Sequence, residues 1–166
     1  MSHLEDEIGA TTLLAIRMED EFVYIDKREG HGMIAMPSDI GWRRPLSFGL
    51  FGRVFMAHMS EMEARKILTK YPLKSHTPYS ITDEKAFFLE LAKIRKHGYG
   101  IDVEEFVEGV MGIAAPIRDY SRQVIAALCA GLPASRRRDK KVIDNVVGLV
   151  KKACDEISTN LGYFKI

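Results

Sequence analysis

The sequence predicts an α+β domain in which a central antiparallel sheet carries packed helices. Three observations lead there. Short stretches of alternating or β-rich character, punctuated by turn signals, occur in two groups, at residues 11–36 and 99–130. Between and after them lie segments whose apolar residues recur at helical spacing and whose ends carry capping residues. Hairpins and helices are mixed without the strict strand–helix alternation of a parallel sheet, which leaves an antiparallel sheet with helices against it.

The elements follow in chain order. Residues 4–8 read as the end of a helix that begins outside this chain. Residues 11–18 read as a strand, Glu19-Asp20-Glu21 as its turn, and 22–26 as the returning strand, with Phe22, Tyr24 and Asp26 on one face and Val23 and Ile25 on the other. A third strand is expected at 33–36, closed by Pro37. Pro45 opens a helical stretch through about residue 58. Ser60-Glu61-Met62-Glu63 has the form of a capping box, starting a helix that carries Ala64, Ile67 and Leu68 and ends near Tyr71-Pro72. Thr82 is the expected N-cap of the next helix, which carries Phe87, Phe88, Leu91, Ala92 and Ile94 and closes at His97-Gly98. Strands return at 99–103, 110–117 and 124–130, the last two joined by a turn at Asp119-Tyr120-Ser121-Arg122. A final helix spans about 139–161, with a stripe of Val142, Val146, Leu149, Val150, Ala153, Ile157 and Leu161.

Composition narrows the function classes. A chain of 166 residues fits one domain with a core of its own. With 24 basic against 23 acidic residues the net charge is +1, so nothing pulls the whole chain toward nucleic acid or an anionic membrane. No apolar run approaches the ~18 residues of a membrane span, and the polar, acidic start is no signal peptide. Cys129 and Cys154 sit in apolar surroundings without CxxC spacing and read as buried free thiols of a reduced cytoplasm.

Chemistry-bearing motifs are sparse. There is no GxSxG, no phosphate-binding GxxxxGK[ST] loop and no HExxH. His3, His31, His58, His76 and His97 are scattered and read as surface or helix-end residues, so neither a metal site nor a cofactor is expected. Asp102-Val103-Glu104-Glu105 is the densest acidic cluster and reads as solvated strand-end carboxylates, except that Asp102 follows an apolar run and points inward. Arg136-Arg137-Arg138 with Lys140 and Lys141 reads as a solvated basic loop. More informative are the glycine-bearing stretches Phe48-Gly49-Leu50-Phe51-Gly52-Arg53, Gly109-Val110-Met111-Gly112 and Ala130-Gly131, where a backbone can approach a ligand closely or pack tightly.

Several of these pieces, in order, resemble the effector-binding C-terminal domain of IclR-family bacterial transcription regulators. They are Phe22-Val23-Tyr24-Ile25-Asp26-Lys27, then Ser80-Ile81-Thr82-Asp83, the segment from Leu89 to Gly98, and Asp102-Val103-Glu104-Glu105 with Gly109. Ile113-Ala114-Ala115-Pro116-Ile117 and the exit Pro133-Ala134-Ser135-Arg136 complete the series. The resemblance implies a GAF-like domain, residues 9–166, that binds a small organic effector, often a carboxylic or aromatic acid. It implies further that residues 1–8 end a linker helix, that a winged helix-turn-helix absent from this chain holds operator DNA, and that the regulator is a homo-dimer or tetramer.

By the same resemblance the effector site comprises Ser47, Phe48, Gly49, Leu50, Phe51 and Gly52 of a capping loop, with Asp102, Met111, Gly112, Cys129 and Gly131 on the sheet. The chain departs from the family pattern here. Ser47 replaces a histidine, and Phe48, Leu50 and Phe51 replace small residues. Gly112 replaces a common cysteine, and Cys129 and Gly131 stand where two serines can hold an acid's oxygens. Polar anchors are thus fewer and bulk is greater, which implies either a more apolar effector or a pocket filled by its own side chains. Arg53 holds a basic position of the family and, on a helix, is expected to face solvent. The leading expectation is a non-enzymatic ligand sensor, and the alternative is a ligand-free oligomerisation domain.

Overall fold

The structure, a computed structural model, describes residue 7, residues 9–31 and residues 36–165. Among these the strands are β1 (Thr11–Met18), β2 (Glu21–Arg28), β3 (Arg43–Pro45), β4 (Gly100–Val103), β5 (Val110–Arg118) and β6 (Val124–Pro133). The helices are α1 (Gly49–Met56), α2 (Glu61–Lys70), α3 (Glu84–His97) and α4 (Lys140–Asn160), with a 3-10 turn at Ala134–Arg138. The six strands form one sheet in the order β3-β2-β1-β6-β5-β4, and every neighbouring pair is antiparallel. This is the α+β class expected from the sequence.

Side-chain alternation divides the core into two layers. Leu13, Ala15, Phe22, Tyr24, Ala114 and Cys129 face α1, α2 and α3. Met111, Ile113, Ala115, Leu128, Ala130 and Leu132 face the opposite side, where Val146, Val150 and Cys154 of α4 cover them. α4 therefore needs only one apolar stripe, whereas all eight residues of α1 are buried.

The local signals hold in most places. The Ser60–Glu63 capping box forms, with the Ser60 hydroxyl accepting from the Glu63 amide and the Glu63 carboxylate accepting from the Ser60 amide. Gly98 ends α3 in the left-handed conformation, at φ 78°. Differences lie at boundaries. α3 is capped by Asp83, whose carboxylate accepts from the Ala86 amide at 2.8 Å, and not by Thr82. Aspartate is the stronger cap at the position one residue later. The helix expected from Pro45 starts at Gly49, because Pro45 is the last residue of β3, a strand too short to leave a periodic signal. Most of the strand expected at 33–36, and most of the helix end at 4–8, lie outside the described residues; Met36 itself is not in a strand.

Candidate functional site

The sheet brings Asp102, Gly112, Gly131 and Thr11 into one row, paired Asp102↔Gly112, Gly112↔Gly131 and Gly131↔Thr11. The next row holds Gly100, Ala114, Cys129 and Leu13. Two glycines in adjacent strands leave a hollow in the face that α1 covers. A cavity of about 210 Å³ lies there, between β1, β2, β5 and β6 on one side and the 36–51 segment on the other. Met36 occupies the space over Gly131, and a Cβ added at Gly112 would meet Leu50 and Cys129 at 3.2 and 3.4 Å. The hollow is therefore partly filled by the chain itself, and what remains has the volume of about seven waters of bulk liquid.

Of the sequence-predicted site residues, the cavity wall includes Phe48, Gly49, Leu50, Phe51, Asp102, Gly112 and Cys129. It does not include Ser47, Gly52, Met111 or Gly131. Met111 was expected to share a face with Gly112, but adjacent strand residues point oppositely, and Met111 is fully buried in the layer under α4. Gly52 packs against the Leu46 carbonyl, leaving no room for a side chain. Gly131 faces the hollow but is covered by Met36. Ser47 lines a separate small void beside Arg53 and Glu105.

The wall also holds residues that were not anticipated, among them Tyr24, Trp42, Arg44, His76 and Phe106. Arg44 lies on β3 directly opposite Phe22, so it shares that residue's inward face, while Arg43 points out and pairs with Glu21 at 3.1 Å. The Arg44 guanidinium is held between the rings of Trp42 and Phe48, 5.0 and 4.9 Å from their centroids. Its Nε is buried and has no hydrogen-bond partner among the described residues. Beside it, burial pushes the Tyr24 hydroxyl up to about 12, while the Arg44 charge pulls the other way, so tyrosine is a neutral hydroxyl here. His76 stacks 5.1 Å from both Phe48 and Phe106; burial, then the charges of Arg44 and Lys74, holds it below its usual value. It is exposed, as expected of a surface histidine, and its inner edge also lines the cavity. The signal for Arg44 was present in Gly41-Trp42-Arg43-Arg44-Pro45 as a turn followed by alternation, but three residues are too few to separate from noise.

At the other end of the cavity, Asp102 is 8% exposed. Its Oδ1 accepts from the Glu105 amide at 3.0 Å, and its Oδ2 lies 4.0 Å from Arg53. Burial raises its pKa, against the pull of that amide and that charge. Arg53 does not face solvent. It is 3% exposed and pairs with Glu105, whose carboxyl burial pushes up to about 7. The acidic step is therefore structural as well as polar: Glu104 takes φ 58° in the β4–β5 turn, and its carboxylate accepts from the Gly109 amide. Burial pushes the Cys129 thiol up to about 12, which leaves it no thiolate character at neutral pH. Cys154 is likewise buried and free. Among the described residues no group of histidines, cysteines and carboxylates could hold a metal, and no helix is long and apolar enough to cross a membrane.

A mostly apolar, partly open cavity under a short buried helix, with a clamped arginine and a buried carboxyl in its wall, gives this α+β domain the form of a ligand-binding module. The sequence model of the family "Bacterial transcriptional regulator IclR C-terminal" matches residues 1–159, and the chain belongs to that family. It is 33% identical over 163 residues to the HTH-type transcriptional regulator XynR of Escherichia coli K12, covering 98% of this chain and 64% of XynR. It thus spans less than two-thirds of that regulator. Its fold matches the crystal structure of the Thermotoga maritima IclR with a TM-score of 0.90 and 33% identity, over 98% of this chain and 65% of the other. It also matches a double mutant of the PobR inducer-binding domain from Acinetobacter, in complex with 3-hydroxybenzoic acid, with a TM-score of 0.83 and 26% identity, over 94% of this chain and 91% of the other. The relatives are named as transcriptional regulators and not as enzymes.

Proposed function

We propose that this chain is the effector-sensing part of a bacterial transcriptional regulator, and that its cavity takes a small organic acid with an aromatic or apolar body. The observation that carries the reading is Arg44, clamped between Trp42 and Phe48 with a buried Nε donor that no described residue satisfies. A buried unsatisfied donor costs about 1–3 kcal/mol, and a ligand carboxylate would recover it. The flanking rings of Phe22, Phe51 and Phe106 suit a flat or branched apolar body, and Asp102 and Tyr24 can hold a hydroxyl substituent. The 3-hydroxybenzoic acid bound to the PobR relative is consistent with a ligand of this size and type.

In this reading no chemistry is done on the effector, since among the described residues the wall offers no activated nucleophile beside a base. Operator DNA is held by a winged helix-turn-helix outside this chain, in a cytoplasmic homo-dimer or tetramer whose DNA affinity the effector alters. Thermal melts against a panel of benzoic, hydroxybenzoic and short aliphatic acids test it, because a ligand that binds only the folded chain raises the melting temperature by mass action. At least one acid is expected to do so, with the gain lost in Arg44→Gln.

A second reading, a ligand-free oligomerisation domain, draws on Met36 and Leu50, which already fill the room left by Gly131 and Gly112. A panel without a single stabilising acid, on a chain that forms stable oligomers, favours it.

A further inference from the structure

β4 pairs with β5 only from Val103↔Met111 to Gly100↔Ala114. Beyond Ala114 the edge of β5 is open, and a cleft of about 370 Å³ lies along it, bounded by the end of α3, the last turns of α4 and the chain's C-terminal segment. Five of its residues are cationic, namely Arg95, Lys96, Arg118, Lys151 and Lys165, against one carboxylate, Asp155. The chain as a whole carries only +1, so positive charge is concentrated here.

These cations are positioned without being neutralised. Arg95 Nε donates to the Ala57 carbonyl at 2.7 Å. Arg118 Nη1 donates to the Arg122 carbonyl at 3.0 Å, and Lys151 Nζ to the His97 carbonyl at 3.0 Å. Among the described residues, every ion pair is made by other cations. A guanidinium has five donors and a lysine three, so the anchoring bonds leave most of them unused.

His58 completes the wall. Arg118 Nη2 lies 3.1 Å from His58 Nδ1, and a guanidinium can only donate. His58 therefore accepts at Nδ1 and carries its proton on Nε2, which is buried without a partner among the described residues. Burial, and then the charges of Arg118 and Arg95, lowers its pKa to about 4.

We propose that this cleft is a second binding site, distinct from the effector cavity, for a small multivalent oxyanion such as a phosphate monoester or a polycarboxylate. Two guanidiniums and flanking ammoniums match a ligand of charge −2 or more, and a monocarboxylate would leave most of the donors unused. An anion seated there offsets the Arg118 and Arg95 charges, which add to burial in keeping His58 neutral, so the imidazole reports occupancy.

The test is nuclear magnetic resonance of the 166-residue chain, following the His58 ring against pH in chloride and then with inorganic phosphate or citrate at matched ionic strength. A saturable change is expected, with the His58 midpoint rising by about one unit, which corresponds to about tenfold tighter anion binding to the protonated form. Lys151→Gln and Lys165→Gln should each weaken binding by about threefold, and Arg118→Gln by about tenfold. Should Arg118→Gln fail to fold, the two lysine variants decide. Saturation by phosphate alone assigns a phosphate ligand, by citrate alone a polycarboxylate, and either supports the site. No saturable shift with either anion, or a shift unchanged in the lysine variants, overturns it.

Discussion

Arg44 is where a single side chain carries the most consequence. Its neighbour Arg43 makes an exposed ion pair with Glu21, of a kind worth under about 1 kcal/mol. Arg44, one residue on, faces an apolar cavity, where a charge-assisted hydrogen bond is worth about 1.5–3 kcal/mol. Arg44→Gln is therefore expected to weaken the effective acid by about 10- to 150-fold, read as loss of ligand-dependent melting shift, while Arg43→Gln leaves it within about threefold. Equal losses in both variants would mean that diffuse charge, and not a seated carboxylate, is what the ligand feels.

Glu105 makes the residue scale visible in pH dependence. Its folded pKa, about 7, lies above its ordinary value of 4.5, so between these pH values the folded chain holds more of this proton than the unfolded chain does. The stability this group contributes is fully present below pH 4.5 and is lost as pH rises through 7. Glu105→Gln, which keeps a hydrogen-bonding group beside Arg53, should flatten the fall in denaturation midpoint across that window. An unaltered slope would place the titration elsewhere.

At the scale of elements, capping decides where α3 begins. Thr82 and Asp83 are both capping residues by type, and only the geometry separates them. Because the Asp83 carboxylate accepts the Ala86 amide, Asp83→Ala should cost about 1 kcal/mol and Thr82→Ala a few tenths; comparable urea midpoints for the two would contradict this. α1 behaves differently. It is buried on all sides, so helical amphipathicity says nothing about which residues meet the cavity. Its sequence read as a glycine-bearing loop and helix, which is correct in kind, but Ser47, Gly52 and Arg53 could not be sorted by spacing. Gly52 meets backbone, Arg53 meets the half-buried Glu105 carboxylate, and of this stretch only Phe48, Gly49, Leu50 and Phe51 reach the wall. On the strands the rule of two was available, and it separates Gly112 from Met111 once a face is known.

At the scale of the molecule, the neutral balance of charge bears on DNA. A chain of net charge +1 without a recognisable helix-turn-helix should show no operator-specific binding at physiological salt, checked by gel shift or fluorescence anisotropy. Tight binding to a defined operator by this chain alone would require a DNA surface that its charge distribution does not foretell. Light scattering should find a dimer or larger species; a strict monomer at high micromolar concentration would assign the oligomer contact to the rest of the regulator.

What the sequence determined by itself is what depends on near neighbours in the chain. Period-two alternation in β1 and β2, period-3.6 spacing in α4, the Ser60–Glu63 box and Gly98 at the end of α3 are all local, and together with the ordered motifs they specified the α+β class and the family. The tertiary structure decided what depends on residues far apart in sequence meeting in space. Arg44 became a cavity residue only through its pairing with Phe22, and Arg53 became a buried ion only because Glu105 lies opposite it. His58 became half-buried because Arg118 packs on it, while His76 stays exposed with one ring face against Phe106. The physical reason is that a side chain's charge state and accessibility are set by burial and by partners, and chain spacing encodes neither.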